Sequence, residues 1–327
     1  MPLLTYCLRR LLEALLLLIG LVTLVFFLSR LLPGDAASVF ISPGVSPAVI
    51  DQLRQQFGLD RPPLEQFVCW LGTAARGEFG YSFAHHAPVA EVLAEVFPNT
   101  VVLGGAALIL EIVLAIAVAF LVARSPGSWI DRGLSQASLV AYALPTFWIG
   151  ILLLTMFSYS LGIFPSSQMH SMAAGEGGGI SRALDLLHHL ALPVVTVAIP
   201  GAAGMARYLR ASITTAQRQD YVLMARSMGF SRSKVFLSYV LPNSVGPLIS
   251  IVGMEFGGLL TGVLVTETIF SWPGMGRLAI MAIFARDYPL ILGCTVVSGV
   301  VVLVGNTLAD LLNAWIDPRV RVAGRDI

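Results

Sequence analysis

Long apolar runs alternate with short polar segments along the whole chain, and that pattern predicts a bundle of membrane-crossing helices. Six runs come near the ~20 residues that cover the hydrocarbon of a bilayer: 11–28, 100–123, 136–160, 190–208, 243–268 and 290–314. The first follows Arg9 and Arg10 and could be mistaken for a secretory leader. It is longer than an h-region of about 7–15 residues, and Leu32-Pro33-Gly34-Asp35 follows it in place of a small-residue cleavage site. A retained span is therefore expected. The fourth run contains Pro193, Pro200, Gly201 and Gly204, which predicts an interrupted span and close helix contact.

The polar segments carry their own pattern. Residues 33–98 form the longest, with expected helices at 47–57 and 63–75, a turn-rich corner at Gly77–Ser82 and an amphipathic surface helix at 89–97. Residues 217–247 read QRQDYVLMARSMGFSRSKVFLSYVLPNSVGP. Asp220 is expected to cap a helix over 221–228, and Gly229 to take the left-handed position that ends it. Ser231 is expected to cap a second helix over 232–241, which Pro242 closes by disfavouring helical geometry at the residue before it. Tyr221, Leu223, Met224, Val235 and Phe236 are assigned to one apolar side; Arg218, Arg226, Arg232 and Lys234 make the rest basic. After the fifth run, ETIFSWPGMGRL at 267–278 predicts an interfacial anchor at Trp272 and a turn at Pro273-Gly274. The expected divisions are a first span (1–32), an extracytoplasmic helical subdomain (33–98), a five-helix core (99–314) that includes the loop 215–242, and a tail (315–327).

Composition agrees with the pattern. Of the 327 residues, 56% are hydrophobic and 12% charged, against about 25% charged in a soluble domain. The fold class is an all-α integral membrane protein. Orientation follows from Lys and Arg. Arg9, Arg10, Arg124, Arg132, Arg207, Arg210, Arg218, Arg226, Arg232, Lys234, Arg319, Arg321 and Arg325 fall on one set of segments, and fewer cations spread over more residues fall on the other. Both termini and the basic island are thus expected in the cytoplasm, with 33–98 outside.

Chemistry-bearing patterns are sparse. A P-loop needs glycine directly before its lysine, so that backbone N–H groups can cradle phosphate; Lys234 is the only lysine, and Ser233 precedes it. No HExxH, GxSxG or zinc-ligand spacing occurs, and Cys7, Cys69 and Cys294 form no CxxC pair. No catalytic, cofactor-binding or metal residue is expected in this chain. Glu13, Glu111, Glu255, Glu267 and Asp310 lie in or at the ends of spans. A carboxylate in hydrocarbon costs at least about 2.5 kcal/mol, so each should face protein or water. Glu111 and Glu255, both mid-span, are the candidates for a polar translocation path, the alternative being a neutral or hydrogen-bonded structural carboxylate between helices. His85, His86, His170, His188 and His189 fall on expected outer segments without a fixed ligand spacing.

The island resembles the EAA loop of ABC-importer permeases: Ala225, Gly229, Leu241 and Pro242 fall in register, while Leu223, Met224 and Tyr239 depart from the pattern. The run DYV..AR..G.S at 220–231 is closer to the dipeptide, oligopeptide and nickel branch. So are LPGD at 32–35, FGLDRP at 57–62, FWIG at 147–150, ARDYPL at 285–290 and DPRV at 317–320, in that order along the chain. The resemblance implies a type I importer permease fold of six transmembrane helices in a bacterial inner membrane. It implies coupling to an ATPase through Asp220, Tyr221, Ala225, Arg226, Gly229, Ser231, Leu241 and Pro242, and an outer gate at Glu267, Trp272 and Pro273. Implied partners are a second, homologous permease, two ABC ATPase subunits that bind ATP and magnesium, and a periplasmic or lipid-anchored solute-binding protein; nucleic acid is not among them. Di- or oligopeptides are the expected cargo, with nickel the alternative. Two rival classes are an ion-coupled secondary transporter, for which inverted repeats would be expected, and a non-transporting membrane anchor. For the island alone the rival is a basic amphipathic hairpin lying on the membrane.

Overall fold

The computed structural model describes residues 3–31, 61–124, 127–171, 178–244, 252 and 263–316, with side chains from residue 11 to residue 308. The expected helix 47–57, Glu255, the side chain of Asp310, the DPRV run and most of the span 243–268 lie outside these. The chain divides into two compact units, one of residues 8–100 with 273–301, the other of 101–272 with both chain ends.

In the first unit, α1 (Leu3–Leu31) sets Val22 and Phe26 against Phe67 of α2 (Pro63–Ala74) and Leu292 of α11 (Tyr288–Ile316). Pro63 opens α2 at a position whose N–H would have no helical partner anyway. Gly77 and Gly80 take positive φ, and Tyr81–Ser82 (β1) pairs antiparallel with Ala87–Pro88 (β2) as a hairpin of two-residue strands. Helix α3 then runs unbroken over Val89–Arg124, with Pro98 inside it. The amphipathic helix expected at 89–97 is present, with Val89, Val92 and Leu93 buried and Ala90, Glu91, Ala94 and Glu95 exposed, but it runs on without a break into this long helix. Val89, Val92 and Leu93 pack with Met275, Leu278 and Ala282 of α10 (Met275–Ala285) and with Leu290 and Cys294 of α11. The polar residues after Pro98 face α10 too: Asn99 donates to the Pro273 carbonyl at 2.8 Å, and the Thr100 hydroxyl accepts from the Met275 N–H at 2.8 Å.

In the second unit, α4 (Trp129–Ala143) and α5 (Thr146–Leu153, continued as a π turn to Ser160) meet at 103°. The run 136–160, expected as one span, therefore holds a sharp bend. Its cause is Pro145, which holds Leu144 extended at ψ 134°. Helix α6 (Gly179–Gln217) goes the other way: it stays continuous for 39 residues with Pro193 and Pro200 inside it, where an interruption was expected. Trp272 is wholly buried among Leu103, Ala107, Leu190, Val194, Val197 and Val263. It is a core residue rather than an anchor at the lipid interface, because an interfacial tryptophan keeps one edge wet. Among the described residues four helices are long and apolar enough to cross a membrane, or five if the bent pair is one span.

Candidate functional site

The segment after α6 folds as two short helical pieces around a corner. Helix α6 ends at Gln217, and after Arg218 and Gln219 α7 (Asp220–Ser227) begins. Gln219 is the extended residue at the start of α7 and makes no side-chain cap. Asp220 is therefore the first helical residue and not the cap expected; its charge still suits the positive end of the helix. The far end is a complete Schellman arrangement. Gly229 sits at φ +78°, its N–H donates to the Arg226 carbonyl at 3.0 Å, and the Phe230 N–H donates to the Ala225 carbonyl at 3.3 Å. No atom lies within 4 Å of a Cβ built on Gly229, so backbone conformation alone selects glycine there.

Ser231 then caps α8 (Arg232–Val235), its Oγ accepting from the Lys234 N–H at 3.3 Å. The Lys234 ammonium lies 4.1 Å from the centre of the Phe230 ring, and that ring stacks on Tyr239 at 6.0 Å. Pro242 does not close the unit as expected. The helix widens into a π turn over Phe236–Val240 and continues as α9 (Leu241–Ser244), with Leu241 fully helical. The Leu241 N–H reaches back to the Phe236 carbonyl, five residues away. A turn of that width relieves the clash between the proline ring and the carbonyl four residues before it. Asn243 donates from its side chain to the Tyr239 carbonyl at 2.7 Å, and Ser212 of α6 donates to the Ser244 carbonyl at 3.1 Å.

Packing fastens this elbow to the spans. Val222, Ala225, Val235 and Val240 are buried with Leu209, Ile213 and Ala216 of α6 and Ala119 of α3. Tyr221 and Phe236 are half-buried against the same cluster. Leu223 and Met224, expected on the apolar side, point outward instead: they are 67% and 57% exposed, and Met228 is 61% exposed. Arg226 shares that open face. The i, i+3 pair Val222–Ala225 was the readable signal for the inward face, and the bulk of Leu223 and Met224 masked it.

The remaining candidates lie elsewhere. Glu111 of α3 is 2% exposed and fills a notch at Gly201 of α6, where an added Cβ would overlap its carboxyl group. Glu267 is wholly buried, and its carbonyl accepts from the Trp272 N–H at 2.8 Å. The elbow, Glu111 and the Glu267–Trp272 stretch are thus separate places. Three of the five histidines bond to the protein itself: His170 meets the Asp185 carboxylate at 3.1 Å, and on α6 His188 meets the Ile163 carbonyl at 2.8 Å and His189 the Asp185 carbonyl at 2.8 Å. No group of three or more metal-binding side chains occurs among the described residues.

One cluster escaped the sequence reading. Ser128 caps α4 by accepting from the Asp131 N–H at 3.2 Å, and the Asp131 carboxylate reaches back to the Gly127 N–H at 2.8 Å. The same carboxylate takes Ser135 at 3.2 Å and Arg210 of α6 at 2.7 Å. The Ser-x-x-Asp spacing was the available sign.

Residues 112–322 match the family described as the binding-protein-dependent transport system inner membrane component, and residues 3–104 match its N-terminal companion. The oligopeptide transport system permease protein AppB of Bacillus subtilis (strain 168) is 35% identical over 316 residues, covering 96% of this chain and 98% of that one. DdpB of Escherichia coli (strain K12), a D,D-dipeptide transport system permease protein, is 32% identical over 322 residues, covering 93% of this chain and 94% of that one. Among solved structures, an amino acid ABC transporter aligns with TM-score 0.52 at 17% identity over 69% of this chain and 94% of that one. The inward-facing MetNI methionine ABC transporter aligns with TM-score 0.51 at 14% identity over 69% and 96%. At such identities the structures speak for the fold alone. Family, whole-length relatives and fold agree: this chain belongs to the inner-membrane permease components of binding-protein-dependent, ABC-type importers.

Proposed function

We propose that this chain forms half of the translocation path of an ATP-driven importer of di- or oligopeptides. Its sister half would be a second, homologous permease, and a solute-binding protein would deliver cargo from outside. The observation that carries the reading is the elbow, which has one face locked onto α3 and α6 and the other open, with Leu223, Met224 and Met228 beside Arg226. A docked ATPase would hold Leu223, Met224 and Met228. The buried Val222, Ala225, Val235 and Val240 would pass its motion directly to α6.

In this reading ATP and magnesium belong to the ATPase subunits, and the chain itself does no chemistry. Both termini and the elbow face the cytoplasm, in line with the distribution of arginines. Asp220, Tyr221, Ala225, Arg226, Gly229, Ser231, Leu241 and Pro242 shape or present the coupling surface. Glu111 and Glu255 are assigned to the path, and Glu267, Trp272 and Pro273 to the outer gate. Peptide is preferred to nickel because the relatives named above are peptide permeases and His170, His188 and His189 bond within the chain.

The test is uptake by the purified assembly in proteoliposomes. Labelled peptide should enter with ATP inside the ATPase compartment, and entry should survive an ionophore. Uptake that follows an ion gradient and ignores ATP, or a purified chain that brings no ATPase with it, contradicts the reading.

A further inference from the structure

A cavity of about 220 Å³ opens between α3, α4 and α6 near their elbow end. Val118 and Val122 of α3 and Leu139 of α4 give it an apolar wall; Ser138, Arg207 and Arg210 give it a polar one. The two arginines are not equivalent. Arg210 is neutralised by Asp131 at 2.7 Å. Arg207 meets no carboxylate among the described residues and lies over the Tyr142 ring, 5.6 Å from its centre. That ring is seated on Gly204, where an added Cβ would come within 3.2 Å of it. A stacked guanidinium keeps its N–H edge for hydrogen bonding, and its planar fork matches the oxygens of a phosphate.

We infer that this cavity binds the headgroup of an anionic phospholipid, with Arg207 as its cationic contact. Basic pockets between spans on the cytoplasmic side of a membrane suit such headgroups, and the orientation proposed above puts this one there. The apolar wall argues for a lipid over a small free anion. Leu139, which lines the cavity, is 48% exposed and so offers an acyl chain an apolar surface to follow.

The experiment is native mass spectrometry of the complete assembly in detergent, supplied with phosphatidylglycerol or phosphatidylcholine. The wild-type assembly should hold a phosphatidylglycerol adduct that phosphatidylcholine does not replace. Arg207→Gln should weaken that adduct about tenfold, equivalent to ~1.4 kcal/mol. Arg207→Lys should keep most of it, and Ser138→Phe should remove it by filling the cavity with the charge intact. Adducts unchanged in both Arg207→Gln and Ser138→Phe would overturn the inference, as would displacement of the lipid by equimolar inorganic phosphate. So would a variant that keeps its lipid but loses uptake only of peptides with a free carboxyl terminus, since the cavity would then serve cargo. ATPase subunits are counted in the same spectra; their absence from the wild-type assembly would strike the transport reading and leave the lipid result standing.

Discussion

The Glu111 carboxyl group on α3 occupies the space that Gly201 leaves on α6 by having no side chain. Any Cβ at residue 201 would overlap it, so the pair sets how closely the two helices approach. Gly201→Ala should force the helices apart or push Glu111 off its rotamer, at a cost of about 1–3 kcal/mol. Glu111→Gln preserves shape and should cost less. Thermal melting of the detergent-solubilised assembly checks both: Gly201→Ala is expected several degrees below wild type, Glu111→Gln close to it. Equal melting of Gly201→Ala and wild type would show that the notch has no such role.

Gly229 is held at φ +78° with open space around it. Gly229→Ala should cost roughly 1 kcal/mol from backbone strain alone, and the β-branched Gly229→Val more. Strain at this corner re-aims α7 while leaving the spans intact. The expected phenotype of Gly229→Val is normal membrane insertion and ATPase association with hydrolysis uncoupled from uptake. Full uptake by that variant would contradict a rigid elbow.

Leu223, Met224 and Met228 present an apolar surface to the outside of α7. If an ATPase covers them, Leu223→Glu with Met224→Glu should weaken its association at least tenfold, a loss of ~1.4 kcal/mol or more. Val222→Glu should instead fail by misfolding, because that residue is buried. Titrating purified ATPase onto the reconstituted permease separates the two outcomes. Unchanged binding by the double variant would mean that this face is not the docking surface.

Asp287 is wholly buried and accepts from the Ser82 hydroxyl at 2.6 Å, the Ala84 N–H at 3.0 Å and the Leu290 N–H at 3.2 Å. It fastens the β1–β2 hairpin to the first turn of α11. Asp287→Ala would strand buried donors at about 1–3 kcal/mol each, while Ser82→Ala removes one partner and should cost less. Expression and melting temperature are the measurements, and the expected order is wild type, then Ser82→Ala, then Asp287→Ala. An Asp287→Ala assembly as stable as wild type would refute the clasp.

The elbow was legible because its signals are local. A glycine that must be left-handed and a serine three residues before the N–H it accepts from are written in the chain itself, and Gly229 and Ser231 behave accordingly. The prolines were misread because their effect depends on what surrounds them. Pro145 breaks a run that hydropathy joins, whereas Pro98, Pro193 and Pro200 sit inside continuous helices, and Pro242 follows a π turn that makes room for its ring. Asp220 was assigned one position too early in function, since Gln219 turns the chain without a side-chain bond. Trp272 looked like an interfacial residue because sequence shows amphipathic chemistry but not the six buried residues that enclose it. The Asp131–Arg210 pair joins residues far apart in the chain, and neither one announces the other.

Helix α6 spans 39 residues, about 58 Å at 1.5 Å per residue, nearly twice the ~30 Å of hydrocarbon. One continuous spine therefore links Asp185 near one end to the elbow at the other. Its pliable stretch is the one between Pro193 and Pro200, where two backbone hydrogen bonds are missing. Flexure will gather there, and Gly201 lies just beyond it. If an ATPase pulls on the elbow, as proposed above, bending of this stretch would first disturb the seat of Glu111, an acidic group buried midway along α3.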